Sequence, residues 1–285
     1  MLSSTDSTRW LPAFARRRTG PGTVALAPSA VDGLRRAAGA VWLPALVVAL
    51  WQLLCALGVF PAVAMPSPVQ VARAFGELIQ TGALFRHVGV SLLRVLAGGG
   101  AAAVAGIGLG IAIGLSARLE RTTDLILEVL RPIPPIAWIP MAILWFGIGE
   151  LSKLYIIFLG AFFPILLNVV SGIRQTENRF VEVARVLEVS RGRFIRHVVV
   201  PGALPSIMSA LRLGLGIAWI CVVAAELIAA SSGVGYLIMD ARQLSQPDVV
   251  LAGMITIGVV GRAMDLLLRR LERRVVSWKV IYAGE

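Results

Sequence analysis

Six stretches of this chain are almost wholly apolar, and they limit what it can fold into more than any other feature. They lie near 41–60, 95–115, 133–147, 154–173, 207–230 and 249–268, with the start of the short third stretch placed between Leu125 and 133. A helix of about 20 apolar residues crosses a bilayer core of roughly 30 Å. A chain of 285 residues that is 57% hydrophobic, with a mean hydropathy of +0.82, is too apolar for a water-soluble domain. The sequence therefore predicts an all-α, polytopic membrane protein with about six transmembrane helices.

The positive charges predict how these helices are oriented. All but two of the 27 basic residues are arginine, and most precede the first apolar stretch, follow the last, or lie in the segment 174–196. The alternate segments 61–90, 148–153 and 231–248 hold as many acidic as basic residues. By the positive-inside rule, both termini and the 174–196 segment are cytoplasmic. Membrane topology thus accounts for the net charge of +11, and we expect no nucleic-acid partner.

The first 36 residues differ from the rest of the chain. They mix Ser, Thr, Pro, Gly and Arg, and they lack the apolar core of a cleaved signal peptide. We expect residues 1–36 to be a flexible cytosolic tail and residues 37–285 to form the transmembrane domain.

Nothing in the sequence indicates catalysis, a metal site or a bound cofactor. Cys55 and Cys221 fall inside apolar stretches without CxxC spacing, and the predicted topology places His87 and His197 on opposite sides of the membrane. No G-x-x-x-x-G-K-[ST] phosphate-binding loop is present. We therefore expect that the chain is not an enzyme and does not itself bind ATP.

The segment 174–205, between the fourth and fifth apolar stretches, is long, polar and rich in arginine. A cytoplasmic loop of this length with a helical pattern of its own predicts a docking site for a partner outside the membrane. The alternative is an ordinary amphipathic surface helix, stabilised by pairs such as Glu182 with Arg185 and Glu188 with Arg191 at i,i+3 spacing.

Small residues recur at every fourth position of the second apolar stretch. They are Gly98, Ala102, Gly106, Gly110 and Gly114. On a helix they form one stripe that lets another helix approach closely, which is a main source of helix association in lipid. We interpret the stripe as a packing surface, and lining of a transport pathway is the alternative.

The third apolar stretch contains four prolines between Pro132 and Pro140. Backbone groups freed by proline are tolerated at membrane depth only where protein or a water-filled cavity satisfies them. We therefore predict that this segment lines a pathway, with Pro134, Pro135, Ile136, Ile139 and Pro140 as the candidate residues. The first stretch is expected to be a peripheral anchor.

A few charged residues lie within the apolar stretches. Glu226 lies too far from Arg212 on the fifth predicted helix to pair with it. An acid at that depth must be neutralised, hydrated or hydrogen-bonded, either by the following Ser-Ser-Gly turn or beside the pathway. We expect Arg212 to be an interfacial anchor, and Arg262 and Asp265 to form a local pair.

Three motifs resemble one family of membrane proteins. The runs RPIPPIAWIP and LWFGIGELSK are similar to permeases from the sulfonate, taurine and nitrate branch of ABC importers. The loop resembles the E-A-A-x3-G-x9-I-x-L-P motif of those permeases, with the same spacing throughout. The matching positions are Glu182, Val183, Ala184, Glu188, Val198, Val200 and Pro201. The chain departs from the motif in having Val183 for alanine, Glu188 for glycine, and valine at both 198 and 200.

The resemblance implies a function and a set of partners. In this family the loop is a coupling helix that sits in a cleft of an ATP-hydrolysing subunit. Two permease copies then form the pathway in the bacterial inner membrane, two cytoplasmic ATPase subunits bind the loops, and a periplasmic or lipid-anchored binding protein delivers substrate.

Relatives in this branch carry small anions, and an aliphatic sulfonate or taurine is the first expectation for the substrate. Nitrate or another small organic substrate is the alternative. An ion-coupled secondary transporter is less favoured, because the apolar stretches contain almost no acids besides Glu226 and Asp265.

Overall fold

The computed structural model describes residues 30–59, 61, 64–175, 186 and 188–276, and the secondary structure among them is entirely helical. The α-helices are α1 (Ala30–Ala56), α2 (Pro68–Gln80), α3 (Ala83–Leu115), α4 (Ala117–Leu130), α5 (Ile139–Phe146), α6 (Glu150–Arg174), α7 (Arg191–Phe194), α8 (Val200–Ala229), α9 (Val234–Gln243) and α10 (Pro247–Val275). A 3-10 helix (Pro135–Trp138) precedes α5, and a π-helical turn (Ile195–Val199) joins α7 to α8. The expected all-α membrane fold is confirmed.

Within the described part of the chain, four helices are long and apolar enough to cross a membrane. They are α3, α6, the continuous segment Gly192–Ile228, and α10. Helix α4 and the segment Pro135–Phe146 meet at an angle of 84° and make a fifth span if they are counted together. The part of α1 from Trp42 to Ala56 is a shorter apolar helical stretch. A total of six spans stays a prediction.

The chain divides into two units, Met1–Leu50 and Trp51–Glu285. The first unit contributes most of α1, an apolar helix that contains Pro44, and its side chains from Trp42 to Leu50 are all exposed. Exposed leucine and valine side chains on a membrane helix are suited to contact with lipid.

Helix α3 packs along α6 through the stripe of small residues. A Cβ atom added to Gly106 would lie 3.0 Å from Ile165 Cγ2, and one added to Gly110 would lie 2.8 Å from Val169 Cβ. Gly98 and Gly114 meet Ile157 and Ile173 in the same way. The contacts advance by four residues on both helices in the same direction, so α3 and α6 run parallel. The interpretation of the stripe as a packing surface is confirmed.

Helix α8 packs antiparallel on the same α6. Gly160 faces Cys221, whereas Gly172, three turns later, faces Ser206. The fully buried side chains between the three helices include Ile165 of α6 and Val222 of α8. Helices α3, α6 and α8 therefore form the core of the second unit.

Helix α10 packs beside α8 and is joined to it by polar contacts. Trp219 Nε1 donates to the Ile257 carbonyl at 3.1 Å. Arg212, expected to be an interfacial anchor, pairs with two acids of α10: its Nη1 lies 3.2 Å from Glu272 Oε2, and its Nε lies 3.7 Å from Asp265 Oδ1. The predicted pair of Arg262 and Asp265 is confirmed at 3.0 Å.

Candidate functional site

Glu226 lies near the end of α8, where its carboxylate accepts several hydrogen bonds. The residue is 1% exposed. Oε1 accepts from Ser91 Oγ at 2.8 Å and from Arg94 Nη1 at 2.8 Å. Oε2 accepts from the backbone N–H of Gly235 at 2.9 Å. Both oxygens are therefore satisfied inside the protein, as a buried ionised carboxylate requires.

Arg94 of α3 is the centre of this network and is 4% exposed. Besides Glu226, its guanidinium donates to Glu150 in a bidentate pair, from Nε at 2.8 Å and from Nη2 at 2.7 Å. Its Nη1 also donates to the Ser232 carbonyl at 2.6 Å. Lys153, one turn after Glu150, donates to Glu150 Oε1 at 2.7 Å. Two cations and two anions thus balance, and they connect α3, α6, α8 and the turn after α8.

The turn between α8 and α9 fits around the carboxylate only because it lacks side chains there. Gly233 has φ +115°, and a Cβ atom at this position would lie 2.2 Å from Glu226 Cδ. The Gly233 N–H donates to His87 Nδ1 at 3.1 Å, and the Val234 N–H donates to Ser91 Oγ at 2.9 Å. Residues of α3 therefore cap the start of α9.

These contacts show how Glu226 is accommodated. Its hydrogen bonds run to Ser91 and Arg94 of α3 and to the backbone N–H of Gly235 in the first turn of α9. The Ser-Ser-Gly turn that the sequence suggested as its partner contacts Arg94 instead, through the Ser232 carbonyl. With both oxygens engaged and almost no exposed surface, the carboxylate offers no contact to a passing solute in this conformation.

The partners of Glu226 were not predicted from the sequence. The second apolar stretch was placed at 95–115, whereas α3 begins at Ala83 and so includes His87, Ser91 and Arg94. Hydropathy excludes such residues from a span although all three are buried. The sequence does contain a signal for the position of Arg94. Arg94 lies one helical turn before Gly98, and it therefore shares the helical face of the small residues that pack on a neighbouring helix.

The proline-rich segment forms a bend, as expected for a helix broken by proline. Helix α4 ends at Leu130, and the chain re-enters helix at the 3-10 turn that begins at Pro135. Pro134 and Pro140 are exposed, and Ile136 is 46% exposed. Ile139 differs from the other candidates: it is 5% exposed and packs in a buried cluster with neighbours that include Ile156 and Cys221. The burial of Ile139 within this chain does not fit the pathway position predicted for it.

A cavity of about 330 Å³ lies between this bend, α6 and α8. The bend contributes Arg131 and Pro135, and α6 contributes Phe163 and Asn168. Pro164 interrupts α6 beside the cavity, and Asn168 Nδ2 donates to its carbonyl at 2.8 Å. The described residues that line the cavity are mostly apolar and include one cation and one amide.

Only part of the predicted coupling loop can be located. Glu182, Val183 and Ala184 lie outside the described residues. Glu188 has φ +49°, in the left-handed region that glycine adopts more readily than other residues. The chain therefore turns at this residue although it is not glycine.

The end of the loop motif is helical. Val198 lies in the π-helical turn, and Val200 is the first residue of α8. Pro201 is the second residue of α8 and directly follows the π-helical turn, where the regular α-helical hydrogen-bond pattern is already interrupted. The motif therefore leads directly into the core helix.

Comparisons with known proteins agree with this architecture. Residues 105–277 match the family model described as binding-protein-dependent transport system inner membrane component. A putative aliphatic sulfonates transport permease protein, SsuC of Bacillus subtilis, is 46% identical over 242 residues, which cover 85% of this chain and 88% of that protein. The taurine transport system permease protein TauC of Escherichia coli is 36% identical, with coverage of 82% and 87%. The nitrate import permease protein NrtB of Synechocystis is 35% identical, with coverage of 97% and 98%.

A solved structure has the same fold. It is a chain of the MetNI methionine ABC transporter in an inward-facing conformation, with a TM-score of 0.61 and 20% identity, covering 69% of this chain and 98% of that chain. The chain described here therefore belongs to the family of binding-protein-dependent transport system inner membrane components, the permease subunits of ABC importers.

Proposed function

We propose that the chain forms the membrane pathway of an ATP-driven importer for an aliphatic sulfonate or taurine. The observation that carries this proposal is the 46% identity to a putative aliphatic sulfonate permease over 85% of the chain. The similarity to a taurine permease supports the same substrate class. Nitrate is the second candidate, because the similarity to a nitrate import permease extends over 97% of the chain.

The proposed assembly has two copies of this chain, two cytoplasmic ATPase subunits and a binding protein, which is periplasmic or lipid-anchored. Both termini and the 174–205 loop face the cytoplasm. The ATPase subunits bind and hydrolyse ATP, and the permease holds no cofactor. The exposed part of the proline-rich segment, Pro134 to Ile136 together with Pro140, faces the route of the substrate.

A continuous helix supports a coupling mechanism. The coupling loop, including Glu182 to Ala184, is proposed to dock on the ATPase, and the segment Gly192–Ile228 follows it as one helix of 37 residues. At 1.5 Å per residue this helix is about 55 Å long, enough to cross the bilayer. Its far end carries Glu226. Movement of the loop is therefore expected to reach the opposite side of the membrane through α8, with the π-helical turn at Ile195–Val199 as a natural site of adjustment.

The experiment that tests this assembly is copurification of the ATPase with a Glu182→Arg permease. Charge reversal on a docked surface helix is expected to weaken binding by about 1 to 3 kcal/mol and to leave the permease in the membrane. Glu128→Arg is the control, because Glu128 is an exposed acid of α4 outside the loop motif. Undiminished recovery of the ATPase with Glu182→Arg would contradict the docking role of the loop. Uptake of radiolabelled taurine, butanesulfonate and nitrate by the complete importer would then identify the substrate.

A further inference from the structure

We propose that the cavity between the proline-broken bend, α6 and α8 is a binding site of the permease itself for an organic anion, with Arg131 binding the anionic group and the apolar wall binding the carbon chain. This inference rests on the proposed function and adds a location and a chemistry of recognition. The volume of the cavity, about 330 Å³, is near the lower end of the range for small-molecule sites. The size therefore suits a small solute.

The charge of the cavity favours an anion. Arg131 is the one ionisable side chain in the lining, and no ion pair between described residues involves it. The arginines of the core differ: Arg94 is fully engaged by Glu150 and Glu226, and Arg212 is paired with acids of α10. A planar guanidinium that has no ion-pair partner among the residues described by the structure is suited to bidentate binding of a sulfonate or carboxylate.

The remaining lining favours an anion that also carries hydrocarbon. Phe163, Leu213 and Ile217 form an apolar wall, and Asn168 is the one side-chain amide among the lining residues. Removal of apolar surface from water stabilises a bound alkyl chain by a roughly constant amount per methylene. An inorganic oxyanion such as nitrate has no hydrocarbon and gains nothing from this wall. The cavity therefore matches an alkanesulfonate better than nitrate.

The test measures binding of radiolabelled butanesulfonate to the purified permease–ATPase complex without the binding protein, so that the binding protein does not set the affinity. Across methane-, butane- and hexanesulfonate, affinity is expected to rise about threefold to fourfold per methylene until the cavity is filled. Arg131→Gln is expected to weaken butanesulfonate binding about tenfold or more, since it removes a charge-assisted hydrogen bond. Arg131→Lys keeps the charge but not the fork geometry of the guanidinium. Its affinity for butanesulfonate is expected to lie between those of the wild type and Arg131→Gln.

Two further variants keep the test decisive. Arg121→Gln removes an exposed arginine of α4 that does not line the cavity, and it is expected to bind as the wild type does. Leu213→Trp fills the cavity from an exposed position of α8 and is expected to reduce binding even if Arg131→Gln fails to accumulate in the membrane.

Three results would overturn the inference: no butanesulfonate binding by the wild-type complex, wild-type affinity in both Arg131→Gln and Leu213→Trp, or tighter binding of nitrate than of butanesulfonate. The proposed function is tested separately, by ATPase copurification and by uptake through the complete importer. If wild type imports sulfonate and Arg131→Gln binds butanesulfonate normally, the binding site is wrong and the proposed function stands. If wild type retains its ATPase but imports no sulfonate, the proposed substrate class fails, and the butanesulfonate-binding measurement still decides the binding site by itself.

Discussion

Arg94 Nη1 lies 2.8 Å from Glu226 Oε1, and this buried ion pair joins α3 to the far end of α8. Each partner is almost fully enclosed, and each makes further hydrogen bonds to its surroundings. Removal of one member of such a pair leaves an uncompensated buried charge, which is far more destabilising than removal of both. The pair thus provides a direct test of how the bundle is held together.

Arg94→Gln is expected to reduce the free energy of unfolding by about 3 to 5 kcal/mol, because Glu226 loses its charge partner. The double variant Arg94→Gln/Glu226→Gln is expected to recover part of this loss. Thermal unfolding in detergent, followed by tryptophan fluorescence, measures the difference. Arg86→Gln, at an exposed position of the same helix, serves as the control. Equal unfolding temperatures for wild type and Arg94→Gln would contradict the structural role of the pair.

Helix packing is tested by two glycines of α3 that lie half a turn apart. Gly110→Ala places a Cβ atom 2.8 Å from Val169 and is expected to destabilise the bundle by about 1 to 3 kcal/mol through overpacking. Gly108 has open space around it, so Gly108→Ala is expected to be neutral or to stabilise by up to about 1 kcal/mol through helix propensity. The same unfolding measurement ranks the two variants. The reverse order would mean that α3 presents a different face to α6.

Glu188 gives a prediction about the coupling loop. Glutamate is a helix-favouring residue at the glycine position of the motif, but φ +49° places Glu188 in a turn. Glu188→Gly is therefore expected to relieve about 1 kcal/mol of backbone strain and to retain the ATPase on copurification. Glu188→Val is expected to retain less, because a β-branched residue is a poor occupant of this region. Loss of the ATPase in Glu188→Gly would show that the carboxylate itself takes part in docking.

The pathway is tested by single cysteines in a background that lacks Cys55 and Cys221. A cysteine at Ile136 is expected to react with a small water-soluble thiol reagent, at a rate that changes when substrate or an ATP analogue is added. One at Ile139 is expected to react slowly because the position is 5% exposed. A cysteine at Val47, on the exposed apolar face of α1, is expected to be inert because that face is suited to lipid. Fast reaction at Val47 with none at Ile136 would place the pathway elsewhere.

The sequence by itself determined the features that depend on local pattern. Hydropathy is a sum over neighbouring residues, so apolar stretches alone predicted the all-α membrane fold. The four-residue spacing from Gly98 to Gly114 predicted a close helix contact, because side chains four apart share a helical face. The proline cluster predicted a break in the third stretch, since proline lacks the N–H that a helix requires. The order of the motifs was specific enough to identify the family.

Only the tertiary structure decided which distant residues meet. Glu226 and Arg94 are 132 positions apart, and no local rule pairs them. Hydropathy assigned Arg94 to the end of a loop, because a charge is unfavourable in lipid. The folded bundle instead buries Arg94 against the carboxylates of Glu150 and Glu226, which compensate its charge. Ile136 and Ile139 look equivalent in sequence, but the bend exposes the first and packs the second against α6 and α8. The cavity that contains Arg131 likewise exists only because the bend, α6 and α8 converge around it.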